Sequence, residues 1–290
     1  MIHVFFVPGM FGSTIEFVLK TFSQEYDSID GIITPSGSMH SYRKELHLGK
    51  RKDILNDLKK IRPDSITTPI YPFRDMHLPE ILNYFSPYLE NSRSILVHAD
   101  ELRSAEFNIL FQYHKCCIGE NEGLGIFCGN NVHNIKNWNL DYQHWTDLKP
   151  WELREWFSLF YVEWTQEWIQ SQYQVSDDFL KITNTEILYN TNSALLKIID
   201  HCGLTLDGDI SSFVTKWQLA QQYIVDEFDL LDHIVDSALN QTEFGWQPTN
   251  VIAEAIVQQR LRAHGYEIRC DGLNTFPTDS KTLYNLLEKC

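Results

Sequence analysis

The sequence predicts an α/β fold, a three-layer sandwich with a central, mainly parallel sheet and a helical C-terminal extension. Short, continuously apolar runs occupy residues 4–7, 95–97 and 179–182, as expected of parallel strands buried on both faces. Segments with a helical spacing of apolar residues separate these runs, which is the alternation typical of α/β domains. The last 80 residues have a mostly helical pattern.

The first strand passes into the first helix through a turn of small residues. Pro8 and Gly9 end the apolar run 4–7. Residues 12–14 then read Gly-Ser-Thr, and apolar residues take helical spacing from Ile15 onward. A strand, a glycine turn, a Ser/Thr cap and a helix together aim backbone N–H groups and a positive helix end at an anion. An ordinary capped turn has the same pattern, and the spacing is neither GxGxxG nor the Walker sequence.

Weaker elements are predicted between the first and second apolar runs. Residues 31–34 are apolar enough for a short strand. Residues 65–72 have a β-like composition, but Pro69 cannot donate a ladder hydrogen bond, which restricts them to an edge or an irregular strand. Helical patterns cover residues 53–61 and 78–88, and the second of these begins near a proline that suits a first helical turn.

Helices dominate the rest of the chain. Their predicted ranges are residues 101–114, 151–173, 193–201, 213–239, 251–264 and 280–288, with one further strand over 266–270. Gly203 and Gly265 stand where two of these helices should stop. The helix over 213–239 carries an acidic face. Residues 119–149 show no period, which indicates a long functional loop or a cover over a site.

Composition limits the possible partners and the domain count. We expect a single domain, with a core over about residues 1–210 and the helical extension over about 211–290. The net charge of −15 argues against nonspecific binding to nucleic acid or acidic membranes. No segment has the roughly 18 apolar residues of a membrane span. The six scattered cysteines and the absence of a cationic leader predict a cytoplasmic protein with reduced thiols.

Several segments together resemble the sulfotransferases that use 3′-phosphoadenosine-5′-phosphosulfate (PAPS). That family begins with a strand, a phosphate loop that ends in Gly-Thr-Thr, and a helix; Gly12, Ser13 and Thr14 match the end of that loop. The second apolar run leads into a helix, as the family's second strand leads into its 3′-phosphate ligands; His98 stands where the family usually has an arginine, so Arg103 would have to supply that contact. The resemblance continues to about residue 205, through the third apolar run and the helix that ends at Gly203.

The resemblance implies a cofactor and a set of binding residues. PAPS would donate a sulfuryl group to a hydroxyl or amine of a small-molecule or carbohydrate acceptor, leaving PAP. The segment 11–14, with Phe11, Gly12, Ser13 and Thr14, would bind the 5′-phosphate. Arg103 and Ser104 would bind the 3′-phosphate. Gly12→Val should block the approach of the backbone to phosphate, abolish the stabilisation by PAP and leave the fold intact. We expect no metal, because no His, Cys, Asp or Glu spacing is typical of one.

The resemblance has one departure that bears on catalysis. The family's phosphate loop carries a Lys or Arg, whereas Met10, or Gly9 in the alternative register, stands at that position here. Arg74 is our candidate for the missing cation at the bridging oxygen. His77, three residues later, is our candidate for the base that deprotonates the acceptor, because an imidazole titrates near neutral pH. Three other residues could act as the base instead: Glu101, His40 and His98.

Two other readings stay open. A chain without the loop cation could be a non-catalytic binding protein on a sulfotransferase-like scaffold. The first strand and its turn also look like the start of an α/β-hydrolase. That fold needs a nucleophile elbow of the form GxSxG. The nearest string, residues 37–41 (Gly-Ser-Met-His-Ser), lacks the second glycine.

Overall fold

The computed structural model describes about half of the chain. The described residues are 2–6, 11–26, 31–33, 39–41, 67–69, 92–98, 178–269 and 272–290, with the single positions 103, 106, 107, 110, 111 and 114. Four predicted elements lie outside the described residues. They are the three helices over 53–61, 78–88 and 151–173 and the long segment 119–149.

The elements alternate between strand and helix along the chain. In chain order they are β1 (Ile2–Phe6), α1 (Gly12–Thr21), β2 (Gly31–Ile33), β3 (Met39–Ser41), β4 (Thr67–Pro69), β5 (Arg93–His98), β6 (Phe179–Thr183), α2 (Asn184–Tyr189), α3 (Thr191–Cys202), α4 (Ile210–Asn240), α5 (Val251–Ala263), β7 (Tyr266–Ile268), α6 (Ser280–Asn285) and β8 (Leu287–Lys289). The described residues between 103 and 114 are helical, as predicted.

A parallel sheet with the strand order β4-β1-β5-β6 forms the centre of the fold. Val4 lies opposite Ile95, and Ile95 lies opposite Leu180, all in parallel register. The three apolar runs are therefore neighbouring parallel strands, which confirms the α/β class and the parallel pairing. β4 has one neighbour in the described sheet, so Pro69 sits on an edge strand, where its missing N–H is tolerated.

Two helices lie side by side against this sheet. α1 packs on β1 and β4, α3 packs on β5 and β6, and the two helices contact each other. α3 ends as predicted at Gly203, whose φ of 65° is the left-handed conformation that glycine adopts at low cost. The short strand predicted over 31–34 is β2, which pairs antiparallel with β3.

The C-terminal extension is built around α4, a helix of 31 residues. It begins earlier than predicted because Asp209 caps it by accepting a hydrogen bond from the Ser211 N–H. The predicted helix over 280–288 is wrong at its end: α6 stops at Asn285, and β8 pairs antiparallel with β7. Pairing with a distant strand here overrides the local helical pattern.

Among the described residues, no helix has both the length and the apolar character needed to cross a membrane. α4 is long enough, but it carries an acidic face along one side.

Candidate functional site

The carboxyl ends of β1 and β5 form a topological switch point. Among the described strands of this sheet, the next one along the chain after β1 is β4, which lies on one side of β1. The next described strand after β5 is β6, which lies on the opposite side of β5. The connections from two adjacent strands therefore leave in opposite directions. In open α/β sheets such a point leaves a crevice at the carboxyl edge, where ligands bind. The segment between β1 and α1 starts at this edge of the sheet, and so does the segment that follows His98, the last residue of β5.

Phe11 starts α1 in an unusual backbone conformation. Its φ of 62° and ψ of 17° are left-handed, which costs a bulky L-residue about 1–2 kcal/mol. The Ile15 N–H donates to the Phe11 carbonyl at 3.1 Å, so the helix begins at Gly12. A left-handed residue followed by a helical one turns successive N–H groups toward a common point and makes an anion-binding concavity.

The cap of this helix differs from the predicted one. The N-cap residue is Phe11, and no side chain caps the helix. Ser13 is the second residue inside the helix, so its predicted capping role is wrong. The reason is that the fold places the left-handed turn two residues before the serine.

The ring of Phe11 is anchored in an aromatic cluster. It lies edge-on to Trp217 with ring centroids 5.0 Å apart, and it also contacts Phe111 at 5.6 Å and Phe107 at 6.0 Å. Phe11 is 5% exposed. These contacts hold the strained backbone in place. The same contacts bury the ring, so only the backbone of Phe11 could contact a ligand.

Gly12 is required by packing on the first strand. A Cβ at this position would lie 2.1 Å from the ring of Phe6, the last residue of β1. A larger residue at this position would therefore force the ring of Phe6 to shift, so Gly12→Val would disturb the packing of α1 on β1 as well as any approach of a phosphate.

The two hydroxyl residues of the turn differ in access. Thr14 is 1% exposed, whereas Ser13 is partly exposed. Ser13 is thus better placed than Thr14 to offer its hydroxyl to a ligand at the helix start.

Arg103 belongs to a network of four charged side chains. Its guanidinium donates to Asp232 on α4. The other oxygen of Asp232 accepts from Arg260 of α5 at 2.7 Å, and Arg260 also donates to Glu106 at 2.7 Å. The two guanidiniums lie over the ring of Phe228, 5.1 and 4.8 Å from its centroid. Two arginines and two carboxylates thus neutralise one another around one aromatic ring.

Tyr189 completes this cluster from the end of α2. Its hydroxyl donates to Asp229 at 3.2 Å and also interacts with Arg103. Burial lowers the pKa of Arg103, but the charge of Asp232 and hydrogen bonds to Asp232 and Tyr189 outweigh it, so the pKa is raised. Burial and the charge of Asp229 raise the pKa of Tyr189, against the opposing effect of Arg103. Arg103 therefore stays cationic, and Tyr189 stays protonated.

Aromatic contacts connect this network to the start of α1. Phe107 lies against Phe11 on one side and against Phe228 on the other, with ring centroids 5.8 Å apart in the second pair. Arg103 and Phe107 are both helical and lie four residues apart in the sequence. Ring contacts thus connect Phe11 at the start of α1, through Phe107 and Phe228, with the guanidinium of Arg103.

The predicted catalytic residues lie outside the described part of the chain. These are His77 and Arg74, together with Ser104 and the alternative base Glu101. His98 is the last residue of β5 and is partly buried. Most of the hydrolase-like string 37–41 belongs to segments or side chains that the structure does not describe.

Sequence reasoning missed the partners of Arg103. It found the acidic face of α4, which holds Asp229 and Asp232, but not the arginines and the tyrosine that contact it. Spacings of three and four residues place Asp229, Asp232 and Asp236 on one helix face, and that was the available signal.

A second concave surface lies far from the switch point along the chain. A cavity of about 590 Å³ is bordered by residues 241–245, which follow α4, by Asp279 and by both ends of α6. Within the described ranges, no group of three or more His, Cys, Asp or Glu is arranged to hold a metal ion.

Comparison of the chain with protein-family models, with curated proteins and with solved structures finds no match. Function is therefore inferred from the residues and their geometry.

Proposed function

We propose that the chain binds the phosphates of an adenosine nucleotide where β1 and β5 diverge, and that it is a PAPS-dependent sulfotransferase. One observation carries this proposal: α1 begins at a topological switch point with a left-handed Phe11 and a partly exposed Ser13. Helix starts of this kind bind phosphate through backbone N–H groups and the helix dipole. The family resemblance supplies the reaction.

In the proposed reaction, the acceptor oxygen or nitrogen attacks the sulfur of PAPS. A bond forms from that atom to sulfur, the bond from sulfur to the 5′-phosphate oxygen breaks, and PAP leaves with the electron pair. The backbone of residues 11–14 and the Ser13 hydroxyl would hold the 5′-phosphate. Arg103 would hold the 3′-phosphate, together with Ser104. His77 would take the acceptor proton, and Arg74 would stabilise the charge that develops on the bridging oxygen.

The proposal extends to the architecture and the setting of the protein. We propose a three-layer sandwich in a single domain, with the core over about residues 1–210, the extension over about 211–290, and a cytoplasmic location. Neighbouring parallel strands with helices packed on them support the layered arrangement.

A non-catalytic nucleotide-binding protein is the second candidate. Two observations favour it: residues 9–14 contain no Lys or Arg, and Arg103 is already paired with Asp232. Such a protein would bind PAP without transferring sulfate from PAPS.

Calorimetry with PAP tests the binding half of the proposal. Ser13→Ala removes one hydrogen bond to a charged phosphate, so we expect PAP affinity to fall about tenfold or more. Ser211→Ala is the matched control, because Ser211 is the second residue of α4, as Ser13 is of α1. Residues 205–207, before α4, pair with residues 22–24, after α1. Ser211 therefore lies near the C-terminal end of α1, whereas Ser13 lies at its N-terminal end. Equal loss in both variants, or no PAP binding by the wild type, would contradict the proposal.

A transfer assay with labelled PAPS over a panel of alcohols, amines and carbohydrates tests the catalytic half. We expect transfer by the wild type and a loss of about a hundredfold in His77→Ala with PAP binding retained. PAP binding with no transfer to any acceptor would favour the non-catalytic protein. Full activity in His77→Ala would remove that residue from the mechanism and make Glu101 the next candidate.

A further inference from the structure

The carboxylate of Asp232 is shared between two arginines that differ in accessibility. Arg103 contacts one of its oxygens and has a side chain that is 41% exposed. Arg260 contacts the other oxygen at 2.7 Å and is 13% exposed. Arg260 is also paired with Glu106, whose side chain is 3% exposed. The buried part of the network is thus Glu106 and Arg260, and its accessible end is the pair of Asp232, 31% exposed, and Arg103.

Removing Arg103 from this network would leave every buried charge compensated. Asp232 would keep its bond to Arg260, and Arg260 would keep both carboxylates. The ring of Phe228 would keep one guanidinium over it, 4.8 Å from its centroid. Removing Arg260 instead would take away the guanidinium that lies 2.7 Å from the buried carboxylate of Glu106, which is costly. The network is therefore built so that Arg103 alone can exchange Asp232 for another anion.

We propose that Asp232 is an internal competitor for the phosphate that Arg103 binds, and that it thereby sets the affinity of the site for that phosphate. The inference rests on the proposed function and adds a residue to it. In the unliganded protein Arg103 is held by Asp232. A nucleotide with a phosphate within reach of Arg103 takes the guanidinium from Asp232, and Arg260 neutralises the carboxylate that is left. Asp232 does not touch the ligand; it is a positioning residue that weakens binding at one phosphate.

Position supports this exchange. Arg103 follows β5 by five residues, and its guanidinium lies 5.1 Å from the centroid of the Phe228 ring. Phe228 contacts Phe107, which contacts Phe11 at the start of α1. Tyr189, which follows β6 through α2, interacts with Arg103 from a third element. Two rings therefore connect the arginine with the start of α1, and the proposal places the two phosphates of one nucleotide at the two ends of this chain of rings.

Asp232→Asn tests the proposal, because it removes the competing charge and keeps the shape of the side chain. The probes are PAP and adenosine 5′-monophosphate, which lacks the 3′-phosphate, each titrated by calorimetry. We expect Asp232→Asn to bind PAP about fivefold tighter, the size of a partly exposed ion pair, and to bind the monophosphate as the wild type does. Asp236→Asn is the matched control: it removes the same charge one turn further along α4 and should change neither affinity.

Two more variants separate competition from a general charge effect. In an Arg103→Gln background, Asp232→Asn should no longer tighten PAP binding, because the arginine that it would release is absent. Arg103→Gln alone should weaken PAP and leave the monophosphate unchanged. It keeps the buried pairs intact and should fold, so it tests the role of Arg103 even if Asp232→Asn does not fold.

The outcomes are distinct. Tighter PAP binding that needs Arg103 supports the inference. If the wild type binds PAP and Asp232→Asn leaves the affinity unchanged, the inference is overturned and the proposed function stands. The same holds if Asp236→Asn tightens PAP binding as much as Asp232→Asn does. PAP binding that Arg103→Gln leaves unchanged also overturns the inference. Failure of wild type and all variants to bind PAP overturns the inference and the proposed function together.

Discussion

Replacing Gly12 with alanine separates two roles that this glycine could have. If Gly12 serves only to let a phosphate approach, alanine should leave the stability of the unliganded protein unchanged. If it serves the packing of α1 on β1, alanine should destabilise the protein with no ligand present. The structure favours the second role, because the added Cβ would lie 2.1, 2.2 and 2.4 Å from three atoms of the Phe6 ring.

The size of the effect follows from these distances. Ordinary van der Waals contact begins at 3.4 Å, so the ring of Phe6 would have to move by more than 1 Å, and Phe6 is only 5% exposed. Overpacking of this kind costs about 1–3 kcal/mol. The smaller entropy of the unfolded alanine chain offsets about 0.4–1 kcal/mol of that cost. We therefore expect the free energy of unfolding to fall by about 1–2 kcal/mol.

Urea unfolding of the unliganded protein, followed by circular dichroism, measures this change. Gly245→Ala is the matched control, because its Cβ would lie 3.7 Å from the Thr278 carbonyl oxygen, an ordinary contact. It should be neutral or slightly stabilising. In a Phe6→Leu background, which removes the ring, the cost of Gly12→Ala should shrink. A Gly12→Ala protein as stable as the wild type would refute the packing argument.

Two further predictions concern buried charge. Arg260→Ala should lower the free energy of unfolding by about 3–5 kcal/mol, because it removes the guanidinium that lies 2.7 Å from the buried carboxylate of Glu106. Arg262→Ala, on the same helix, breaks a partly exposed pair and should cost less than about 1 kcal/mol in the same urea titration; equal losses would contradict the argument. Burial raises the pKa of Glu254 from 4.5 to about 7, so its stabilising contribution is full below pH 4.5 and is lost as the pH rises through 7. Glu254→Gln should therefore flatten the fall in stability between pH 4.5 and about pH 7, and an unchanged slope would contradict this assignment.

The central strands were predictable because their sequence signal is local. Continuous apolar runs at 4–7, 95–97 and 179–182 indicate strands buried on both faces, and all three pair in parallel. The end of α3 was predictable for the same reason, since Gly203 takes a conformation that favours glycine. These features depend on residues close together in the chain.

The cap of α1 and the partner of Arg103 were not predictable because distant residues determine them. Phe11 holds a left-handed conformation that its own side chain disfavours, and ring contacts with Trp217, far along the chain, maintain it. Arg103 and Asp232 are separated by 129 residues, so no local pattern connects them. Likewise, β8 forms where the local pattern predicts helix, because β7 offers it backbone partners.

A crystal structure of the protein with PAP tests the central claim most directly, because it shows where the phosphates lie. Our account predicts a 5′-phosphate within hydrogen-bond distance of the backbone N–H groups of residues 11–14 and of the Ser13 hydroxyl. It also predicts that Arg103 has turned from Asp232 to the 3′-phosphate. PAP bound elsewhere, for example in the cavity bordered by residues 241–245, would contradict the account.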